Sequence, residues 1–328
     1  MSSVLALTLG LTVAALALAS LLIGPAAVPP GAALSALVLG DEPLLTLVMR
    51  EVRAPRTLLA ALIGAGLGLS GAVMQGYLRN PLAEPGLLGV SGAAALGAVI
   101  TLQTGLAAAF PLALPMAALA GAAGAVALLA ALAGPRGGSL TLILAGIGVS
   151  ALAGAGVTLV LNLSPDPFAA NEAMFWLMGS LTDRSWSHVA IAAPFILGGA
   201  ALLMTQARAL SALTLGEEAA ASMGIDLVRL RLVVMLGLAA VVGAATAVAG
   251  AIGFVGLVVP HLLRRLVRAN PAALLPAAAL GGAAMVLAAD IAVRLILPAR
   301  DLKLGVLMAL IGAPFFLHLI LRHRLAQS

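Results

Sequence analysis

Residues 210–226 read LSALTLGEEAAASMGID, a polar, helix-prone island between long apolar runs. Gly216 precedes a compact helical pattern, Glu217 to Met223, and Gly224 stands where a C-terminal cap glycine would end it. Glu217 and Glu218 fall in the first turn, where the helix dipole favours negative charge. The piece is too short to cross a bilayer, and Arg208, Arg229 and Arg231 flank it. Two readings stand: a short helix on a membrane face, offered to a soluble partner, or an ordinary connecting helix. What lies on either side decides the fold.

The chain is 62% hydrophobic and 9% charged, with a mean hydropathy of +1.18. A water-soluble domain that apolar would expose large greasy patches, so the solvent is lipid. A hydrocarbon core of ~30 Å needs ~20 apolar residues per helical crossing. About ten such runs follow one another: Val4–Ile23, Thr57–Gly76, Leu88–Thr104, Leu112–Ala133, Leu140–Leu161, Val189–Thr205, Leu230–Val248, Ala249–Leu266, Ala272–Leu297 and Leu304–Leu321. The expectation is an all-α, polytopic membrane bundle forming one domain over residues 1–328. The first run lacks a basic leader and reads as a retained helix rather than a cleaved signal peptide. Gly31–Gly40 suggests a short interfacial helix. Glycine and alanine within the runs, as in Gly64 to Gly68 and Gly281 to Ala284, let helix backbones approach closely.

Orientation follows from the cations. With the N-terminus inside, Arg79, Arg136, Arg208, Arg229, Arg231, Arg264, Arg265, Arg268, Arg322 and Arg324 are inner. Arg50, Arg53, Arg56, Arg184, Arg294, Arg300 and Lys303 are outer. Of the acids, only Glu84, Glu217, Glu218 and Asp226 fall inside. Both distributions place the termini, and the 210–226 island, in the cytoplasm. A weak echo links Arg79-Asn80-Pro81-Leu82-Ala83 with Arg268-Ala269-Asn270-Pro271-Ala272, each after a run that ends inside, and hints at two related halves.

Several chemistries are excluded. The single lysine, Lys303, sits in no phosphate-loop motif, so the chain has no Walker-type nucleotide site. There is no cysteine, and the histidines at 188, 261, 318 and 323 have no metal-ligand spacing. Scattered cations suit topology better than nucleic acid. No catalytic pair stands out, so the chain reads as no enzyme by itself. Arg53 and Arg56 precede or open a helix whose dipole disfavours them, and lipid phosphate or an acidic protein partner would account for them. Asp290 and Arg294 are spaced for an ion pair on one helix face. Residues 162–186 read as an outer loop with a short helix around Phe175 and Trp176, a plug or an aromatic anchor.

A series of motifs resembles the FecCD-type permeases of ABC importers, which move iron chelates, haem and cobalamin. It includes Arg53-Ala54-Pro55-Arg56-Thr57-Leu58, Ser70 to Gln75, and Asn80-Pro81-Leu82-Ala83-Glu84-Pro85-Gly86-Leu87-Leu88-Gly89. It continues with Leu215 to Ala220, Met223-Gly224, Gly250 to His261, Ala289-Asp290 and Gly312 to Phe316, in order over residues 50–320. The resemblance implies a dimer of ten-helix subunits in the bacterial inner membrane. It also implies two cytoplasmic ATPase subunits, which bind the ATP and Mg, and a periplasmic substrate-binding protein. Carried over by position, Leu215, Gly216, Glu217, Glu218, Ala219, Ala220, Met223 and Gly224 resemble the helix that couples to the ATPase. Arg53, Arg56 and Arg294 resemble residues that receive the binding protein. Asn80, Leu82, Ser139 and Thr141 resemble a cytoplasmic gate. Where the family usually has a proline, this chain has Lys303 within Asp301-Leu302-Lys303-Leu304-Gly305, which puts that turn in doubt and adds a cation to the outer face.

The function expected is import of an iron–siderophore or related metal chelate by alternating access, with cobalamin or haem as the alternative cargo. An ion-coupled secondary transporter needs a buried ionisable relay, and Asp290 is the only acid placed well within a run.

Overall fold

Backbone polar groups have no water to meet in the hydrocarbon core, so each apolar run closes its hydrogen bonds on itself and becomes a helix. The structure, a computed structural model, describes residues 1–24, 28–110, 112–134, 139–296 and 302–325. Arg136, Arg300 and Asp301 lie outside the described residues. In chain order the helices are α1 (Ser3–Leu22), α2 (Pro30–Val38), α3 (Pro43–Leu47), α4 (Ala54–Tyr77), α5 (Val90–Gln103), α6 (Leu106–Ala109), α7 (Ala113–Ala133) and α8 (Ser139–Asn162). They continue as α9 (Pro167–Leu177), α10 (Trp186–Met204), α11 (Ala207–Leu213), α12 (Glu217–Ser222), α13 (Leu227–Ala249), α14 (Val255–Arg264), α15 (Pro271–Ile296) and α16 (Leu304–Leu325). A π-helical turn, Val48–Arg53, leads into α4, and a 3₁₀ turn, Pro85–Leu88, leads into α5.

Among the described residues, seven helices are long and apolar enough to cross a membrane, and three shorter apolar ones correspond to α5, α14 and α16. The polytopic helical bundle expected from the sequence is therefore present, with one correction. The run Ala249–Leu266 is not one continuous span. Residues 250–254 are not helical, Gly250 has φ 71° and Phe254 φ 67°, and only Val255–Arg264 forms α14. At 1.5 Å per residue α14 covers roughly half the hydrocarbon thickness. Such a break is tolerated where non-helical backbone lines a cavity, and residues 250–253 border one.

Close backbone contact holds the centre. A Cβ added at Gly64 would stand 2.3 Å from the carbonyl oxygen of Gly282, and one at Gly68 would stand 2.2 Å from that of Ala278. Only glycine lets α4 and α15 approach this far. The same device joins α5 to α7 through Gly97 and Gly121. Between these seams, Leu59 and Ile63 of α4, Val241 and Ala244 of α13, and Val286 and Leu287 of α15 are fully buried in one continuous core. Ala33, Ala36 and Met49 form a small satellite core under α2 and α3.

Pro260 lies inside α14 and has no N–H to give the carbonyl of Gly256. Gln75 of α4 makes up the loss: its Nε2 donates to the carbonyl oxygens of Gly256 (3.2 Å) and Leu257 (3.3 Å). Its Oε1 accepts from Arg264 Nη2 at 2.7 Å.

Candidate functional site

The two ends of the bundle are chemically different. At one end α11 and α12 make a corner outside the core. Gly216 turns it with φ 107° and Gly224 ends α12 with φ 83°, backbone conformations that a side chain bearing a Cβ resists. Ile225 N–H donates to the carbonyl of Ala220 at 3.1 Å and closes the last turn. The island is thus two helices rather than one, and α12 stops at Ser222, one residue short of the run read from the sequence. Ala220 is fully buried and anchors α12 to the core, whereas Leu215 and Met223 are 69% and 56% exposed. Glu217 and Glu218 are exposed beside them. Asp226 then starts α13, its Oδ1 accepting from the N–H groups of Val228 and Arg229 at 3.0 Å. Arg231 braces this end, donating to Tyr77 Oη (3.2 Å) and to the carbonyl of Gly134 (2.6 Å).

The loop after α4 belongs to the same end. Asn80 Oδ1 accepts from Leu82 N–H at 2.9 Å, and the Asn80 N–H closes α4 on the carbonyl of Gln75. Both residues are half-buried. Ser139 opens α8 and Thr141 is exposed in its first turn. The turn Pro85–Leu88 that follows Asn80 and Leu82 packs against α8 further along.

Glu84 occupies a place the sequence does not announce. The reading above counts it as an inner-loop charge, but its Oε1 accepts from Phe254 N–H at 2.5 Å, at the first turn of α14. There the positive end of the helix favours a carboxylate. It borders a cavity of about 90 Å³, walled by residues 250–253, Thr246 and Ser91. The signal that could have exposed it is Gly250, Gly253 and Pro260 within one apolar run, which mark a helix start whose first backbone donors need an acceptor.

At the opposite end stand the three arginines. Arg53 is 5% exposed and Arg294 8%. Arg53 Nη1 donates to the carbonyls of Leu21 and Leu22, both at 2.9 Å. Arg294 Nη1 donates to those of Ser20 (2.8 Å) and Ile23 (2.6 Å), and its Nη2 to Ser20 Oγ. These carbonyls are the orphan acceptors at the C-terminus of α1, where a helix dipole favours cations. The side chain of Arg56, 14% exposed, forks onto Asp290, which also holds Arg294 at 2.7 Å. Of the two arginines that the dipole at the start of α4 disfavours, Arg53 therefore serves the end of α1 and Arg56 the carboxylate of Asp290. Nearby, α9 presents an exposed Phe175, with Lys303 Nζ 5.7 Å from the centre of its ring. Trp186 Nε1 donates to the carbonyl of Arg50 at 2.8 Å.

Half-length crossings broken at depth and shielded by full ones are the construction of a membrane transport protein. The chain belongs to the FecCD transport family, whose model matches residues 11–322. It is 42% identical over 288 residues to the hemin transport system permease protein HmuU of Yersinia pestis, covering 85% of this chain and 84% of the relative. It is 39% identical to the Fe(3+) dicitrate transport system permease protein FecD of Escherichia coli, over 99% of this chain and all of the relative. It is 41% identical to the cobalamin import system permease protein BtuC of Halobacterium salinarum, over 83% of this chain and 73% of the relative. A solved structure, described as an inward-facing conformation of a putative metal-chelate type ABC transporter, matches with a TM-score of 0.87. The two chains are 33% identical over 98% of this chain and 100% of that one.

Proposed function

We propose that this chain is the permease subunit of an ATP-driven importer for a metal chelate or a related large cofactor. In this reading the end bearing α12 faces the cytoplasm, with both termini, and two copies of the chain form the translocation path. ATP and Mg are bound by separate ATPase subunits, and a periplasmic binding protein delivers the cargo. One observation carries the coupling role: α12 is anchored by the buried Ala220 and turned out by Gly216, so that Leu215, Met223, Glu217 and Glu218 form an exposed ridge. An apolar pair rimmed by acids, held on a rigid corner, suits a partner cleft better than water. Asn80, Leu82, Ser139 and Thr141 at the same end are the proposed gate. The cargo class rests on the relatives, which are named for hemin, ferric dicitrate and cobalamin.

Asp290 favours this reading over an ion-coupled transporter. Both of its oxygens are taken by Arg56 and Arg294, which leaves it a structural counter-ion rather than a relay. The test is uptake into proteoliposomes with and without the ATPase. Uptake that needs the ATPase, and that Glu217→Arg with Glu218→Arg abolishes in a correctly folded chain, is the expected result. Gradient-driven uptake by the chain alone would overturn it.

A further inference from the structure

At the α12 end, beside the corner, an open cleft of about 450 Å³ lies between α4, α14 and α15. Gln75, Arg79, Thr214, Arg264, Ala269 and Pro271 line it, and no acidic residue is among the described residues that do. Arg264 spends one nitrogen on Gln75, but its Nε is buried and has no hydrogen-bond partner among the described residues. The guanidinium of Arg264 thus lines the cleft with only one of its nitrogens bonded to a side chain of the protein. Arg79 also lines the cleft, with φ 51°, at the position that closes α4, where glycine is favoured. A guanidinium kept at such a place has a use for its side chain. Pro271 is the first residue of α15, a helix of 26 residues, so the positive end of that dipole adds to the field in the cleft. The two motifs that echo each other in sequence, 79–83 and 268–272, thus face one basic cleft.

We propose that this cleft binds a phosphate oxyanion, gripped by the guanidinium groups of Arg79 and Arg264. Guanidinium forks match tetrahedral oxyanions, and two of them with no competing carboxylate make an anion site rather than an ion pair waiting inside the chain. The same chemistry is offered by free inorganic phosphate and by the headgroup of an anionic phospholipid. The site is independent of the transport reading above.

The experiment uses the full chain in nanodiscs and measures its thermal unfolding midpoint. In one arm the lipid is zwitterionic phosphatidylcholine, and inorganic phosphate is titrated against chloride at equal ionic strength. In the other arm phosphatidylglycerol replaces part of the lipid and no phosphate is added. The expected result is a rise in midpoint in at least one arm, with native mass spectrometry showing the retained phosphate or lipid. A rise with inorganic phosphate only assigns the free ion, and one with phosphatidylglycerol only assigns the headgroup. Arg79→Gln, at an exposed position, should weaken the apparent affinity about tenfold or more. Arg264→Lys, which keeps the charge and loses the planar guanidinium fork, should do the same. No rise in either arm, or a rise that both variants leave unchanged, overturns the proposal. So does a rise that disappears on assembly with the ATPase while residue 79 crosslinks to that subunit, because the cleft then belongs to a protein contact.

Discussion

Arg294 Nη2 lies 2.7 Å from Oδ2 of Asp290, one turn earlier on the same helix, and both side chains are buried. The other carboxylate oxygen takes Arg56 of α4 at 2.8 Å. One acid therefore joins two transmembrane helices, and through Arg294 it also holds the end of α1. Replacing Asp290 by alanine leaves two guanidinium groups without their counter-ion in a low-dielectric setting. We expect a loss of about 3–5 kcal/mol, seen as a lower unfolding midpoint of the detergent-solubilised chain. Arg56→Gln, at the more exposed partner, should cost clearly less.

The same geometry sorts the three arginines as docking residues. Arg53 and Arg294 would have to release the carbonyls of residues 20–23 before they could meet an acidic partner. Charge reversal at either is expected to reduce folded yield. Arg56→Gln, which keeps a donor beside Asp290 and brings in no like charge, should instead leave a folded chain whose affinity for the binding protein falls, with a salt dependence flatter than that of the native pair. Titrating the binding protein at low and high ionic strength checks this; equal affinities for Arg56→Gln and the native chain would remove Arg56 from the contact.

Gln75 repairs the gap that Pro260 opens, so Gln75→Leu should uncover the carbonyl of Gly256 and strand Arg264 as well. A cost of about 1–3 kcal/mol is expected for each buried group left unserved. Replacing Pro260 by alanine in that background restores a backbone donor and should recover part of the loss. Unfolding midpoints of the two single variants and the double variant measure the coupling.

Gly64 and Gly68 offer a steric test. Alanine at either brings a Cβ within 2.3 Å of a backbone oxygen of α15, an overlap that no side-chain rotation relieves. About 1–3 kcal/mol or more should be lost. Gly10→Ala in α1, with nothing within 4 Å, is the control and should lose nothing.

Much of this architecture is legible in the sequence because lipid imposes a simple rule of length and polarity, and the long spans α1, α4, α13 and α15 follow it. What is not legible depends on partners distant in the chain. Hydropathy cannot tell the non-helical residues 250–254 from helix, since both are apolar; what serves the backbone there is Glu84, which accepts from Phe254 across 170 positions. The charges of Arg53 and Arg294 can be read as surface features because nothing in their neighbourhood shows that α1 ends beside them. The corner at Gly216 and Gly224 is visible, as both glycines mark it, although its division into two helices is not. Gln75 could have been suspected, because a proline within a crossing requires a donor from somewhere.

The arginine links at the end of α1 have a kinematic consequence. Arg53 reaches α1 from the start of α4, Arg294 reaches it from α15, and glycine contact welds α4 to α15. These three helices can only tilt together, as a single plate. Whatever opens and shuts during a cycle is then to be sought along the plate's margins, where α10, α13, α14 and α16 pack against it, and not within it.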